Sequence, residues 1–416
     1  MVTPGRAVVV GGSLGGLLAA NLLLRAGWDV DVHERVADPL AGRGAGIVTH
    51  PELLRVLIAA GVDVAHGLGV HVPARLALDL DGAVVGEIPL PQLLTSWSAL
   101  FGKLRAAFPN DRYHAGSVVG GCDNDVDEIR VHFADGKTVV ADLLVGADGI
   151  RSLIRRRFLP DVVPQYAGYV AWRGTVDEAA LSPAAHSVLF DRFAFCLPPS
   201  EQMLGYPIAG EGDVVEVGKR RFNFVWYRPV DDERLRAMMT DADGRHFPEG
   251  IPPHLVGPRW IAQTREDAAR VLAPQFVEVV RAAKQLFFQP IYDLASPSLV
   301  DGRAVLLGDA AFVARPHCGM GVTKAAGDGE ALVRALAEAP TLPAALAAYE
   351  RERMAFGDLV IVHARHLGAY MQAQVLTDEE RAMAERYRDT DRVLRETAVP
   401  SDALVAAAAQ PFARQR

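Results

Sequence analysis

Residues 6–10, "RAVVV", make an apolar run of strand length, too short for a helix. Residues 14–26 then carry apolar side chains at helical spacing and stop at Gly27, a good helix terminator. "DVDVHE" (29–34) alternates and predicts a second strand. Strand, turn, helix and strand in so short a span is a βαβ unit, with parallel strands and a right-handed crossover.

Further on, 75–90 has strand character with a turn at Asp81-Gly82, and 97–107 reads as a helix. "VDEIRVHFADGKTVVADLLVGADG" (126–149) reads as strand, Asp-Gly turn, strand and a further strand entering a loop. From about 164 to 293 the texture changes: Tyr, Trp, Phe and Val segments are separated by Pro, Gly and Asp, as in an antiparallel sheet. "RAVLLGDAA" (303–311) returns to a buried parallel strand, and 321–338, 342–372 and 377–397 read as helices. The end, "ALVAAAAQPFARQR", reads as a helix end followed by a frayed tail. Parallel α/β elements thus bracket a β-rich insert. The expected division is one discontinuous domain (1–72, 95–160 and 298–345), a β-rich domain (73–94 and 161–297) and a C-terminal helical region (346–416).

Composition narrows the function classes. The 416 residues are 50% hydrophobic and 23% charged, ordinary for a globular chain with room for two domains. A formal net charge of −8 leaves no broad basic field for nucleic acid. Neither a secretory signal nor an apolar run of membrane-spanning length is expected. Cys122, Cys196 and Cys318 are far apart and odd in number, which argues against a disulfide framework or a metal site and fits a reducing cytoplasm.

The stretch "VVVGGSLGGL" (8–17) admits two chemistries. As Gly11-x-Ser13-x-Gly15 it is the pattern of a serine-hydrolase nucleophile elbow. Such an elbow takes part of its oxyanion hole from an earlier loop, and only one strand precedes Ser13. As Gly11-x-Ser13-x-x-Gly16 it is a dinucleotide turn, with an acidic residue expected about 20 positions on; Glu34 is there. Gly11 then permits the tight turn, Gly16 lets helix and strand pack closely, and the helix starting near Leu14 points free N–H groups at a pyrophosphate. Ser13 stands where a glycine is usual, with a hydroxyl able to donate to phosphate. A tight turn that binds nothing is the third reading.

Two more motifs decide the cofactor. "DLLVGADGIRSLIRRRF" (142–158) is a strand, a Gly-Ala-Asp-Gly loop and a helix. "GRAVLLGDAAFVARPHCGMGVTKAAGDG" (302–329) is a strand ending in Gly308-Asp309, then Pro316, Gly319 and Gly321, then a helix. With all three in order, the chain resembles the flavin-dependent aromatic hydroxylases, the single-component FAD monooxygenases of the para-hydroxybenzoate hydroxylase type. "YAGYVAWRG" (166–174), "RPHCGMG" (315–321), "HPELL" (50–54), "FNFVWY" (222–227) and Ser13 carry a closer likeness to the pyridine-hydroxylating branch. The resemblance implies a Rossmann-like FAD-binding domain, an inserted mostly antiparallel substrate domain and C-terminal helices. It implies non-covalent FAD held by Gly11, Ser13, Leu14, Gly16, Glu34, Arg35, Gly46, Asp148, Asp309, Pro316, Gly319, Gly321 and Val322. Asp309 would accept a ribityl hydroxyl. Asp148 and Gly149 belong to a motif tied to both FAD and the nicotinamide donor. Gly319 to Val322 would point N–H groups at the flavin N1–C2=O edge, where the reduced ring carries negative charge. The chain departs from the family pattern at Ser13, at Phe312 in place of a histidine, at Trp97 in place of an arginine and at Thr323 in place of an asparagine.

The implied reaction uses NADH or NADPH as a transient reductant. O2 adds at flavin C4a, and the hydroperoxide passes an oxygen to an electron-rich hydroxylated aromatic or pyridine-type ring. The implied partners are that small molecule and O2, with no membrane and no nucleic acid, and a monomer or homodimer. Tyr169, Trp172 and Tyr227 are the expected substrate residues and His317, Arg173 and His50 the expected catalytic ones. Strand alternation puts Tyr169 and Arg173 on one face and Trp172 on the other, and splits Trp226 from Tyr227. His317, beside Pro316, is the expected base or donor for a substrate hydroxyl, since a histidine titrates near neutrality. For each aromatic the competing reading is packing between sheet and helices. Other readings are an epoxidase or other biosynthetic oxygenase on the same scaffold and, more remotely, a serine hydrolase using Ser13. A halogenase would need a lysine near the flavin and a Trp-x-Trp segment, neither of which stands at a matching place.

Overall fold

The computed structural model describes residues 1–37, 46–65, 67–371, 373 and 375–409. Its first layer is a six-stranded sheet in the order Val300–Asp301, Ala304–Leu306, Leu143–Gly146, Arg6–Val10, Asp29–Glu34, Tyr113–Ala115. Arg6–Val10 lies at its centre, parallel to both neighbours, with Val9 level with Val145 on one side and Val32 on the other. A central parallel strand is covered on both faces, so a continuous apolar run is what it requires. The helix Leu14–Arg25 follows at once and is buried along most of its length, as its Leu- and Ala-rich sequence dictates. It ends at Ala26 and Gly27, the latter at φ +89°.

The second layer is a nine-stranded sheet. Its order is Phe312–Val313, Phe287–Ala295, Gln165–Asp177, Arg221–Pro229, Gln202–Ile208, Arg192–Cys196, Val70–Leu78, Val84–Ser96, Gly46–Thr49. It is antiparallel except where Arg192–Cys196 runs parallel to Val70–Leu78. A separate three-stranded sheet holds Val119–Asn124, Ile129–Phe133 and Thr138–Ala141. The architecture is α/β, a Rossmann-like domain with an inserted β-rich domain and C-terminal helices.

The two faces of the large sheet serve different cores. Trp172, Trp226, Phe222, Phe224 and Phe288 pack on one face with residues of the helices Pro258–Val271 and Pro274–Ala282. Tyr169, Tyr206, Val225 and Tyr227 pack on the other, with Cys318 and Met320 and with Phe356, Val360 and Leu367 of the long helix Leu342–Gly368. That second face meets the Pro316–Cys318 turn, so the alternation of one strand decides which aromatics approach the third motif.

Several elements differ from the sequence expectation. The segment expected as one helix over 377–397 is two, Asp378–Arg386 and Thr390–Glu396, because Asp389 caps the second by accepting from the Asp391 N–H at 2.9 Å. The strand expected over 303–311 is only Ala304–Leu306, followed by a tight turn at Gly308–Ala310. Gly46–Thr49 pairs with Val84–Ser96 at the edge of the large sheet and so belongs to it. No helix among the described residues is long and apolar enough to cross a membrane.

Candidate active site

Two glycines of the first turn, Gly11 and Gly16, leave no room for a side chain. Gly11 sits at φ +105°, and a Cβ there would overlap the Ala147 carbonyl. A Cβ on Gly16 would overlap the Gly11 carbonyl oxygen. Ser13 occupies the N-cap position of Leu14–Arg25, and its side chain makes no capping bond. The first-turn N–H groups from Leu14 onward therefore face outward as an anion site. Among the described residues the Ser13 hydroxyl bonds no histidine or carboxylate, so the hydrolase reading lacks its base.

Glu34 is buried at the end of its strand, accepting from the Gly12 N–H at 2.8 Å and the Val36 N–H at 2.9 Å. Each oxygen keeps a lone pair for a ribose hydroxyl. Tyr113, which was not among the expected residues, donates to the Gly12 carbonyl at 3.0 Å and closes this side of the turn. Arg35 is exposed beside Glu34. The Gly46 N–H donates to Asn223 Oδ1 at 2.9 Å, and Gly46 lies against the Tyr206 ring. Residues 42–45, just before it, lie outside the described residues.

Asp148 caps the helix Leu153–Phe158. One carboxylate oxygen accepts from the Leu153 N–H at 2.6 Å and more weakly from the Ile154 N–H, while the other is buried with no partner. Burial raises the Asp148 pKa, against the lowering effect of these bonds. Arg155 ties the second motif to the third, donating to the Ile150 carbonyl at 2.6 Å and the Ala310 carbonyl at 2.9 Å. The Gly308 turn is held from three sides. Asp328 accepts its N–H at 2.8 Å, Lys324 donates to its carbonyl at 2.6 Å, and Arg353 donates to Asp328 at 2.7 Å. The Asp328–Arg353 pair is almost fully buried, so removing one partner is expected to cost about 3–5 kcal/mol. This frame leaves the Asp309 side chain 55% exposed, with Lys324 Nζ 4.0 Å from one of its oxygens. A Cβ on Gly321, the first residue of Gly321–Glu338, would meet nothing within 4 Å, so that helix N-terminus also opens on space. Gly319, at φ +64°, makes the preceding bend after Pro316, and Val322 follows in the first turn.

A bound FAD fits these residues: a pyrophosphate turn, an orphaned buried oxygen on Asp148, an exposed Asp309 and an open helix N-terminus. Asp309→Ala is expected to lower FAD retention about tenfold with the fold intact. Flavin absorbance per mole of purified protein checks this, and wild-type occupancy would remove Asp309 from the cofactor shell.

On the large sheet's inner face the structure gathers Tyr169, Arg173, Tyr206, Tyr227 and Asn223. Tyr227 lies level with Ala171 and Gln202, and Asn223 with Thr175 and Tyr206. Asn223 Nδ2 and Arg173 Nε are buried without acceptors. Burial pushes the Tyr227 hydroxyl up to about 12 and raises that of Tyr206, the Arg173 charge offsetting part of each shift. Both phenols are therefore protonated donors, and neither is hydrogen-bonded to any described residue. Tyr206 and Asn223 were not among the expected site residues. Their signal was the same alternation that selected Tyr227.

His317 differs from its expectation. It is buried, with Nδ1 2.9 Å from Gln202 Oε1 and Nε2 2.9 Å from the Tyr169 hydroxyl. The amide oxygen only accepts, so Nδ1 carries the proton and Nε2 accepts from Tyr169. Burial, helped by the nearby Arg315 charge, pushes its pKa down to about 3. A neutral ring with both nitrogens engaged replaces the expected base titrating near neutrality. The Tyr227 ring lies tilted against it with centroids 4.2 Å apart, and Tyr169 is wholly buried beside it. His50 is likewise buried, with Nδ1 2.9 Å from the Thr323 hydroxyl and a pKa lowered by burial. Trp172, expected as a substrate residue, is not among these groups. It points to the opposite face and packs on Phe288 with centroids 5.2 Å apart, because the strand pleat sends it away from Tyr169.

A third buried histidine, His33, is stacked on His114 and pushed down to about 4 by burial, with the His114 charge adding to the shift. Both His33 and His317 bind their proton more readily unfolded. Stability is thus complete above about pH 6.5 and falls by about 1.4 kcal/mol per unit for each as pH drops toward 4. Urea unfolding at neutral and mildly acid pH is expected to show this fall, and His33→Gln to make it shallower.

Comparison with known proteins places this geometry. A "FAD binding domain-like" family model matches residues 166–293, and a "FAD binding domain" model matches 264–364. The chain is 32% identical over 374 residues to 2,6-dihydroxypyridine 3-monooxygenase of Paenarthrobacter nicotinovorans, covering 89% of this chain and 92% of that one. It is 31% identical over 365 residues to 3-amino-4-hydroxybenzoate 2-monooxygenase of Streptomyces cremeus, covering 84% and 83%. The solved structure of 2,6-dihydroxypyridine-3-hydroxylase from Arthrobacter nicotinovorans superposes with a TM-score of 0.84 at 31% identity, over 90% of this chain and 94% of that one. Relatedness of this depth along nearly the whole chain makes it a member of the FAD-dependent hydroxylating monooxygenases.

Proposed function

We propose that the enzyme hydroxylates a flat, electron-rich hydroxypyridine or hydroxylated aromatic ring that binds with an oxygen in anionic form, using NADH or NADPH and O2. The observation that carries this reading is the set of unpaired donors on the sheet's inner face. Arg173 has no carboxylate partner among the described residues, and Asn223 Nδ2 lacks an acceptor. The Tyr206 and Tyr227 hydroxyls beside them bond no described residue. Buried donors without acceptors are costly, so the face is matched to a ligand rich in acceptor oxygens. The substrates after which the two relatives are named, a dihydroxypyridine and an aminohydroxybenzoate, are of this kind.

When bound, the flavin supplies the redox chemistry that takes electrons from the nicotinamide and delivers an oxygen atom from O2. The protein's own residues do the rest. Arg173 favours the ionised form of a ring hydroxyl, which makes the ring more nucleophilic. Tyr227 and Tyr206 orient that oxygen. The apolar wall of Val225, Cys318 and Met320 keeps water from the reacting face. Cys122, Cys196 and Cys318 are all buried free thiols, which supports a reducing, cytoplasmic setting.

The test is a panel of hydroxypyridines and phenols scored for stimulated NAD(P)H oxidation, with product mass gaining one oxygen. A member of the panel is expected to give coupled product. Stimulation without an oxygenated product across the whole panel overturns the reading.

A further inference from the structure

Arg75 is one of the largest wholly buried side chains, and no carboxylate pairs with it among the described residues. Its Nε donates to Gln92 Oε1 at 2.8 Å. Its Nη1 donates to the Leu394 carbonyl at 2.8 Å and to the Thr397 carbonyl at 2.6 Å, at the end of the Thr390–Glu396 helix. The guanidinium lies 4.8 Å over the Phe193 ring, and its Nη2 has no partner. A buried cation directed at the open carbonyls of a helix C-terminus fixes where that helix stops.

Just past that stop the backbone is strained. Ala398 adopts φ +53°, a left-handed conformation that alanine avoids. The surroundings that hold it there belong to the active site. The Ala398 N–H donates to the His317 carbonyl at 2.7 Å. Its methyl sits against Gly319, where an added Cβ would lie 2.8 Å from it. Its carbonyl is 3.4 Å from His50 Nε2, and His50 reaches through Nδ1 to Thr323 in the first turn of the Gly321–Glu338 helix. A carbonyl only accepts, so His50 carries its proton on Nε2 and accepts from the Thr323 hydroxyl at Nδ1. On the far side the Val399 carbonyl is met by His363 Nε2 at 3.3 Å. Residues 397–399, remote in sequence from all three cofactor motifs, are therefore bonded to the turn that carries His317 and Gly319 and to the histidine that braces the helix start. Strain kept at such a point is a mark of a functional constraint.

We propose that Thr397–Ala398 is a latch that sets the position of the 316–323 flavin-edge turn, with Arg75 as the positioning residue that holds the latch. The route runs from Arg75 through the Thr397 carbonyl to Ala398, and from Ala398 to His317, Gly319 and His50. His50, read from sequence as catalytic, is in this arrangement a brace between the latch and Thr323.

The test compares hydrogen–deuterium exchange and flavin spectra of the holoprotein for wild type, Arg75→Met, Arg75→Lys and Ala398→Gly. Arg75→Met keeps an apolar stem on Phe193 and loses the donors. Exchange is expected to rise about fivefold or more in 390–399 and in 316–323 together, with a changed fluorescence yield of the bound flavin and partial recovery in Arg75→Lys. Faster exchange confined to 390–399, with 316–323 and the flavin spectrum as in wild type, overturns the proposal. If Arg75→Met fails to fold, Ala398→Gly decides. It removes the methyl from Gly319 while relieving the left-handed backbone, so its melting temperature should not fall, yet exchange in 316–323 should rise about twofold or more. Unchanged exchange there overturns the latch. Neither readout needs turnover, so the outcome is independent of the substrate reading.

Discussion

Gly16→Ala is expected to leave the column colourless. The added methyl would overlap the Gly11 carbonyl oxygen, and neither side can retreat. Gly11 is fixed by its N–H bond to the His33 carbonyl at 2.8 Å and by a φ of +105°. The Leu14–Arg25 helix is packed on the central sheet by Leu17, Leu18, Ala19 and Ala20, all wholly buried. The clash must open the turn or tilt the helix, and either one misdirects the N–H groups that face the pyrophosphate. Overpacking of this kind costs about 1–3 kcal/mol in stability. The loss in FAD affinity should be larger, about 100-fold, because a cradle of several N–H groups fails as a unit. Reconstitution with excess FAD, followed by flavin absorbance and circular dichroism, separates the two effects. Gly15→Ala is the control: a Cβ there meets only Ala325 Cβ at 3.4 Å and Leu307 Cδ1 at 3.5 Å, so it should stay yellow. A yellow Gly16→Ala protein with full occupancy would contradict the assignment of this turn to the pyrophosphate.

The same turn shows what a sequence can carry. Its glycines, the apolar strand before it and the acidic residue after it interact over short chain distances, so their spacing alone encodes the geometry. Asp148 and Asp309 were legible for the same reason, each standing at the end of an apolar strand. The frame behind Asp309 was not. Lys324 and Asp328 are one helical turn apart within the third motif, a polar pair on a face otherwise of alanine and glycine. Arg353, which pairs with Asp328, comes from another helix, and nothing local announces it. Trp172 lies on the face to which strand alternation assigns it, away from Tyr169. The protonation of His317 is not legible in the local sequence. Burial by Tyr169, Tyr227 and the long C-terminal helix is a tertiary fact, and it moves the ring from titrating to neutral. Ala398 could not have been found at all. Its left-handed backbone is imposed by groups from four separate stretches of chain.

These differences change how the site is to be understood. A buried, neutral His317 that accepts from Tyr169 is a rigid strut, and Arg315 behind it is itself fixed by Asp293 at 2.7 Å. The polar groups left free to act on a ligand are then those on the sheet face, and Arg173 is the one that carries charge.

Arg173→Met is accordingly expected to raise the substrate KM about 100-fold while leaving FAD occupancy unchanged. A charge-assisted hydrogen bond to a buried oxyanion contributes about 1.5–3 kcal/mol, and loss of the cation also lowers the fraction of ring hydroxyl that ionises. The effect on stability should have the opposite sign. In the free protein Arg173 Nε is buried without an acceptor, so methionine, with a similar apolar stem, removes a desolvation penalty of about 1 kcal/mol or more. A higher melting temperature with a weakened substrate response is the pattern of a site residue held at a cost to the fold. Arg173→Lys should not restore binding fully, since an ammonium cannot reproduce the planar fork of the guanidinium. The measurements are substrate titration by flavin absorbance, steady-state KM, and thermal melts with and without ligand. A variant that loses flavin but binds substrate normally would move Arg173 into the cofactor shell. One that loses stability and substrate response together would make its role structural.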